Sequence, residues 1–134
     1  MMKKYLRRVG AMLLVMTLVF AAYPAITVSA QTLSSFNVNR VVAPDSNTFL
    51  GTLQNDVNGF IDINFFADFG SQGMIIITNN HGFQWNEPMG GGGQINLTIS
   101  NRRDLGWLSG PVRVYYFNNS WNWVGINGTF TSRR

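Results

Sequence analysis

The sequence predicts an all-β protein: a two-layer antiparallel β-sandwich of the immunoglobulin-like kind, with about seven strands. An N-terminal export signal precedes it. Three observations carry this reading. Several segments alternate apolar and polar residues with period two, turn-forming clusters separate them, and the opening thirty residues follow the order charged, apolar, small.

The export signal comes first along the chain. Lys3, Lys4, Arg7 and Arg8 fall within the first eight residues, with no acid among them. Residues 9–22 are almost wholly apolar, Pro24 interrupts any helix, and Val28-Ser29-Ala30 offers small residues at the −3 and −1 positions. This is the signal-peptide pattern, with cleavage expected between Ala30 and Gln31. An uncleaved anchor is the competing reading, and the proline and the processing site argue against it. The expectation is a signal over residues 1–30 and a single all-β domain over 31–134, secreted and outside the cell. No membrane insertion is expected once the signal is gone.

The strands follow. Ile61, Ile63, Phe65, Ala67 and Phe69 alternate with Asp62, Asn64, Phe66 and Asp68, and Ile95, Leu97 and Ile99 alternate with Gln94, Asn96, Thr98 and Ser100. Each set predicts a strand with one buried face. Residues 74–78 form a continuous apolar run, suited to a strand buried on both faces. Residues 112–117 are rich in β-branched and aromatic types. Weaker strand patterns cover 36–42, 48–53 and 121–130. Asn, Asp, Gly and Pro cluster at 44–47, 55–59, 70–73, 79–82 and 110–111, where they preset turns or tolerate positive φ. The four glycines Gly90 to Gly93 predict a mobile loop, because ordering glycine loses the most entropy.

Charge excludes one class of partner. The formal charge of +4 resides entirely in the signal. Beyond residue 30, six arginines face six acids, leaving a neutral domain. Nucleic-acid binding draws its affinity from neutralising several phosphates together, so no nucleic-acid partner is expected. The chain contains no cysteine. Export without disulfides is more typical of a bacterial route, and a domain of this length can bury a core without staples.

Catalytic chemistry finds little support in the residues. His81 is the one histidine and sits in the polar turn Asn79-Asn80-His81-Gly82, with no second histidine to complete a common metal site. No serine occupies a nucleophile elbow. Asp62 and Asp68 share a strand face but lie about 20 Å apart at ~3.3 Å per residue, too far for a glycosidase pair. A calcium loop around Asn55-Asp56-Val57-Asn58 lacks the required acidic spacing. The expectation is a non-enzyme with no cofactor and no metal.

The most informative segment is 112–126, read as a hairpin turning at Asn118-Asn119-Ser120. Tyr115, Tyr116, Phe117, Trp121 and Trp123 crowd into nine residues of it. A two-residue loop places both tryptophans on the inner face with Val112, Val114 and Tyr116. A three-residue loop pairs Tyr115 with Trp123 beside Arg113, on an outward aromatic strip. Asparagines at positive φ favour the shorter turn. Trp107 lies in a loop. Aromatic faces stack on sugars or anchor proteins, and asparagine amides match sugar hydroxyls. The candidate ligand-binding residues are therefore Trp107, Arg113, Tyr115, Asn119, Trp121 and Trp123. The expected function is a secreted, non-catalytic binding module for a cell-envelope or environmental glycan, or for a protein partner. The alternatives are a self-associating matrix or surface protein, with 74–78 as an edge-pairing segment, and a small secreted toxin or inhibitor.

Overall fold

A strand that alternates apolar and polar residues has one face to bury, and two such sheets bury their faces against each other. The computed structural model describes residues 31–106 and 110–134. The export signal expected over residues 1–30 and the candidate Trp107 lie outside the described residues. Eight strands form: β1 (Thr32–Val42), β2 (Ser46–Asn55), β3 (Phe60–Ala67), β4 (Gly73–Asn79), β5 (Gln84–Pro88), β6 (Gly93–Ser100), β7 (Gly110–Asn118) and β8 (Val124–Arg133). A helical turn, α1 (Asn101–Asp104), follows β6.

The strands make two four-stranded antiparallel sheets. The first has the order β1-β8-β3-β6 and the second β2-β7-β4-β5. Every connection except β4 to β5 crosses from one sheet to the other. This winding of eight strands is a jelly roll. The two antiparallel layers are those expected, whereas the winding is not immunoglobulin-like. An immunoglobulin-like order sets the first strand beside the second. Here β1 runs along β8, from Thr32 opposite Arg133 to Val42 opposite Val124, and β2 belongs to the other sheet. The additional strand is β5, whose Gln-Trp-Asn-Glu-Pro sequence offers a single apolar side chain to signal it.

Two further expectations are corrected. Residues 112–126 are not a hairpin, because β7 and β8 lie in different sheets and residues 119–123 bridge them. Tyr116 consequently faces Thr48 and Ile75 across its own sheet rather than a tryptophan, and the last strand begins at Val124 instead of residue 121. Residues 74–78 are not an edge either. Strand β4 is paired on both sides, with β5 and β7.

The core is the layer between the sheets. Ile61, Ile63, Phe65 and Ala67 of β3 are buried there with Ile126 and Phe130 of β8, against Ile75, Ile77, Val112, Val114 and Tyr116. A chain of rings crosses the layer: Phe36 on Phe130 at 5.1 Å, Phe130 on Phe65 at 5.6 Å, and Phe65 on Tyr116 at 5.5 Å. Each large apolar side chain so buried stabilises by about 1.5–3 kcal/mol. Gly128 lets β8 lie close beside β3, since any Cβ there would strike the Asn64 carbonyl.

Candidate functional site

Alternate crossings deliver four loops to one end of the sandwich: 43–45, 68–72, 89–92 and 119–123. Asn118, buried at the end of β7, organises this end. Its Nδ2 donates to the carbonyls of Ala43 (3.0 Å) and Asn122 (3.1 Å), and its Oδ1 accepts from the Ser120 N–H (2.9 Å). Ser120 in turn accepts from the Gln72 N–H at 2.7 Å and donates to the Gln72 carbonyl at 3.1 Å. The Asn119 N–H also donates to Gln72, and the Gly125 N–H donates to the Asp68 carboxylate at 2.6 Å. Buried polar groups satisfied in this way rigidify the backbone around them.

The glycine run belongs to the same assembly. Gly91, Gly92 and Gly93 have φ of 84°, 69° and 95°, values that favour glycine. Gly91 accepts from the Gly70 N–H at 2.7 Å, and buried Met89 donates its N–H to Gly73 at 2.8 Å. The loop predicted to be mobile is thus held by backbone bonds to its neighbour.

On this frame the tryptophans project outward. Trp121 is 97% exposed and Trp123 65%, with Phe69 of the adjacent loop 81% exposed. Two clefts flank them. One, of about 370 Å³, lies between Trp121 and the first loop and is lined by Pro44, Asp45, Asn119 and Ser120. The other, of about 210 Å³, lies between Trp123 and Phe69, with Asp68, Ser71, Ser120 and Asn122 lining it. Tyr116 is buried close to Ser71. Burial pushes its phenol above the ordinary value and the Asp68 charge adds to it, while the Ser71 hydroxyl donates to the Asp68 carbonyl at 2.6 Å. The hydroxyl therefore stays protonated near neutral pH.

Of the six residues singled out in the sequence, Asn119, Trp121 and Trp123 come together here. Tyr115 and Arg113 do not. They sit on the outer face of the second sheet, Tyr115 between Phe49 and Ile76, and Arg113 between Thr52 and Thr78. Phe69, Asp68, Ser120 and Asn122 were missed. Phe69 continued the inward alternation of β3 in the sequence, but the strand ends at Ala67 and the ring turns out to solvent. His81 lies at the far end of β4, exposed, its N–H donating to Asn79 Oδ1 at 2.9 Å. Asp56 accepts from the Asn58 N–H and from Arg134, both at 2.9 Å. The Asn58 bond lowers its pKa, slight desolvation opposes that, and the Arg134 hydrogen bond and charge lower it further.

No family model matches the sequence, and no curated protein matches it. Among solved structures, the chain is similar to the infectious bursal disease virus VP2 subviral particle, with a TM-score of 0.44 and 9% identity over 78% of this chain and 32% of that one. It is also similar to the infectious bursal disease virus Gx strain structure, with a TM-score of 0.43 and 8% identity over 78% and 31%. The chain spans about a third of the length of these structures.

Proposed function

We propose that this protein is a secreted, non-catalytic binding module that grips a glycan through the loop end of its sandwich. The observation that carries this reading is the pair Trp121 and Trp123, exposed on a loop held in place by Asn118 and Ser120. Large apolar rings kept in water on a rigid frame have a use when a partner covers them. Amide and hydroxyl groups of Asn119, Ser120 and Asn122 stand beside the rings, and such groups both donate and accept, as sugar hydroxyls demand. A preorganised loop also loses little entropy on binding. The neutral charge of residues 31–134 favours an uncharged ligand over a polyanion.

The test is a glycan-array screen followed by calorimetry on Trp121→Ala and Trp123→Ala. Loss of about tenfold or more in affinity, near 1.4 kcal/mol, with unchanged melting temperature supports the reading. Unchanged affinity in both variants overturns it.

One observation favours a second reading, self-association. The outer face of the second sheet carries Phe49, Met74, Ile76, Tyr115 and Phe117, and Phe49 is 49% exposed. Light scattering over a concentration series decides it. A strict monomer at high concentration removes this reading.

A further inference from the structure

The cleft beside Trp123 does not end at the loops. Its opposite wall, Phe69, meets the Phe66 ring edge-on at 5.4 Å, and Phe66 stands on the outer face of β3. Across the first sheet Phe66 is in register with Gln94 and Asn127. Two residues further along β3, Asn64 lies level with Asn96 and Thr129, and after it Asp62 lies level with Thr98 and Thr131. Asp62, Asn64, Asn96, Thr98, Thr129 and Thr131 line a groove of about 520 Å³, and the Phe66 row lies between it and the loop end.

We infer that this groove continues the loop-end cleft and that the ligand is an extended, uncharged polysaccharide chain. The inference rests on the glycan reading above and names the form of the glycan. Phe66 to Asp62 alone covers about 13 Å at ~3.3 Å per residue, so the track from Trp123 onward is longer than a single sugar ring. Strands β3 and β8 are paired on both sides, so their backbone across the groove is already occupied; β6, which adds Asn96 and Thr98, is the edge strand, and its unpaired backbone lies on the side away from β3. Recognition falls to side chains, and Asn and Thr both donate and accept, as sugar hydroxyls do. Phe66 and Phe69 supply apolar surface for ring faces. The groove's one carboxylate, Asp62, is matched by Arg133 Nε at 2.7 Å, and with Asp68 at the loop end it disfavours an acidic chain.

The test uses the full chain in calorimetric titrations with gluco-, manno- and xylo-oligosaccharides from disaccharide to octasaccharide, and with polygalacturonate as the acidic arm. Affinity for one neutral series is expected to rise by about tenfold or more with length. Thr129→Lys and Asn96→Lys, each placing a long charged chain in the groove, are expected to abolish that rise and to leave disaccharide binding intact. Trp123→Ala is expected to weaken every length. Length-independent affinity, polymer binding untouched by both lysine variants, or preference for polygalacturonate overturns the extended-chain inference while leaving the loop-end reading standing. Failure of every neutral sugar to bind overturns both. Two lysine variants on different strands, each checked by thermal melting, keep a folding defect in one from deciding the outcome.

Discussion

The two outer faces of this sandwich share a backbone geometry and differ in chemistry. On the first sheet, successive rows across the strands read Ser35, Thr131, Asp62, Thr98 and then Asn37, Thr129, Asn64, Asn96. These side chains hydrogen-bond one another, as in Thr98 to Asp62 at 2.6 Å, Thr129 to Asn37 at 2.9 Å and Gln94 to Asn64. On the second sheet the corresponding rows read Asn47, Phe117, Met74, Pro88 and Phe49, Tyr115, Ile76, Asn86. One face is finished for water or a hydroxylated ligand, and the other is half apolar. The apolar face is the one that the self-association reading proposed above would cover.

The comparison depends on a common core, and the largest expected effect comes from breaking that core. Phe65 belongs to the first sheet and contacts Tyr116 of the second, so Phe65→Ala removes the central link of the ring chain. A loss of about 3–5 kcal/mol is expected in denaturant unfolding. Against the 5–15 kcal/mol typical of a domain, that is a large share, and both faces should lose order together. Loss of one sheet's signals before the other's would instead divide the sandwich into independent layers.

Next in size is Asn118→Ala. It strips the side-chain bonds to Ala43, Ser120 and Asn122 and leaves two carbonyls and an N–H to find new partners. About 1–3 kcal/mol of stability should be lost. Quenching of Trp121 fluorescence reports the loop separately from global unfolding. If the loop end is a preorganised site, glycan affinity falls even where the domain stays folded.

The legibility of the chain follows the same division. In the first sheet β3 and β6 were plain in the sequence because one polar and one apolar face produce a clean period of two, as at 61–67 and 94–100, whereas β1 and β8 gave weaker patterns. In the second sheet the inner face of β7 was read correctly, but β4 was given the wrong environment. The run Met74-Ile75-Ile76-Ile77 implied burial on both faces, yet only Ile75 and Ile77 are buried, while Met74 and Ile76 face outward. The sequence pattern reports what a residue is, and an apolar side chain on an uncovered face looks the same as one in a core. The hairpin reading failed for a different reason. Asn118-Asn119-Ser120 has the composition of a tight turn, and strand adjacency, a long-range property, decided that it bridges sheets instead. Asn118 does use its amide as turn chemistry predicts, but to tie loop 43–45 to loop 119–123 rather than to close a hairpin.

The second sheet's face is probed by Tyr115→Lys and Ile76→Lys. Both residues point out of the sandwich, so monomer stability should shift by no more than about 1 kcal/mol. If copies of the chain meet there, the mass in light scattering falls to that of one chain at concentrations where the unmodified protein associates. Equal masses for variant and parent would leave the face without that role and sharpen the contrast with the polar groove.

The smallest effect belongs to the polar face and concerns acid. Partial desolvation pushes the Asp62 carboxyl up, but the hydrogen bonds from Arg133 and Thr98 and the Arg133 charge outweigh it, leaving the pKa below the ordinary carboxylate value. A carboxyl whose folded pKa is depressed contributes stability above its unfolded pKa. That contribution is lost as pH falls through the folded value, below about pH 4. The pair with Arg133 is partly open to solvent, so after screening it amounts to no more than about 1 kcal/mol. Asp62→Asn should therefore melt slightly below the parent at pH 7 and nearly with it at pH 3. A variant that melts below the parent equally at both pH values would mean that Asp62 acts through its shape and hydrogen bonds rather than its charge. The groove would then present an amide as readily as a carboxylate, and the balance between Asp62 and Arg133 would have no part in keeping the ligand face neutral.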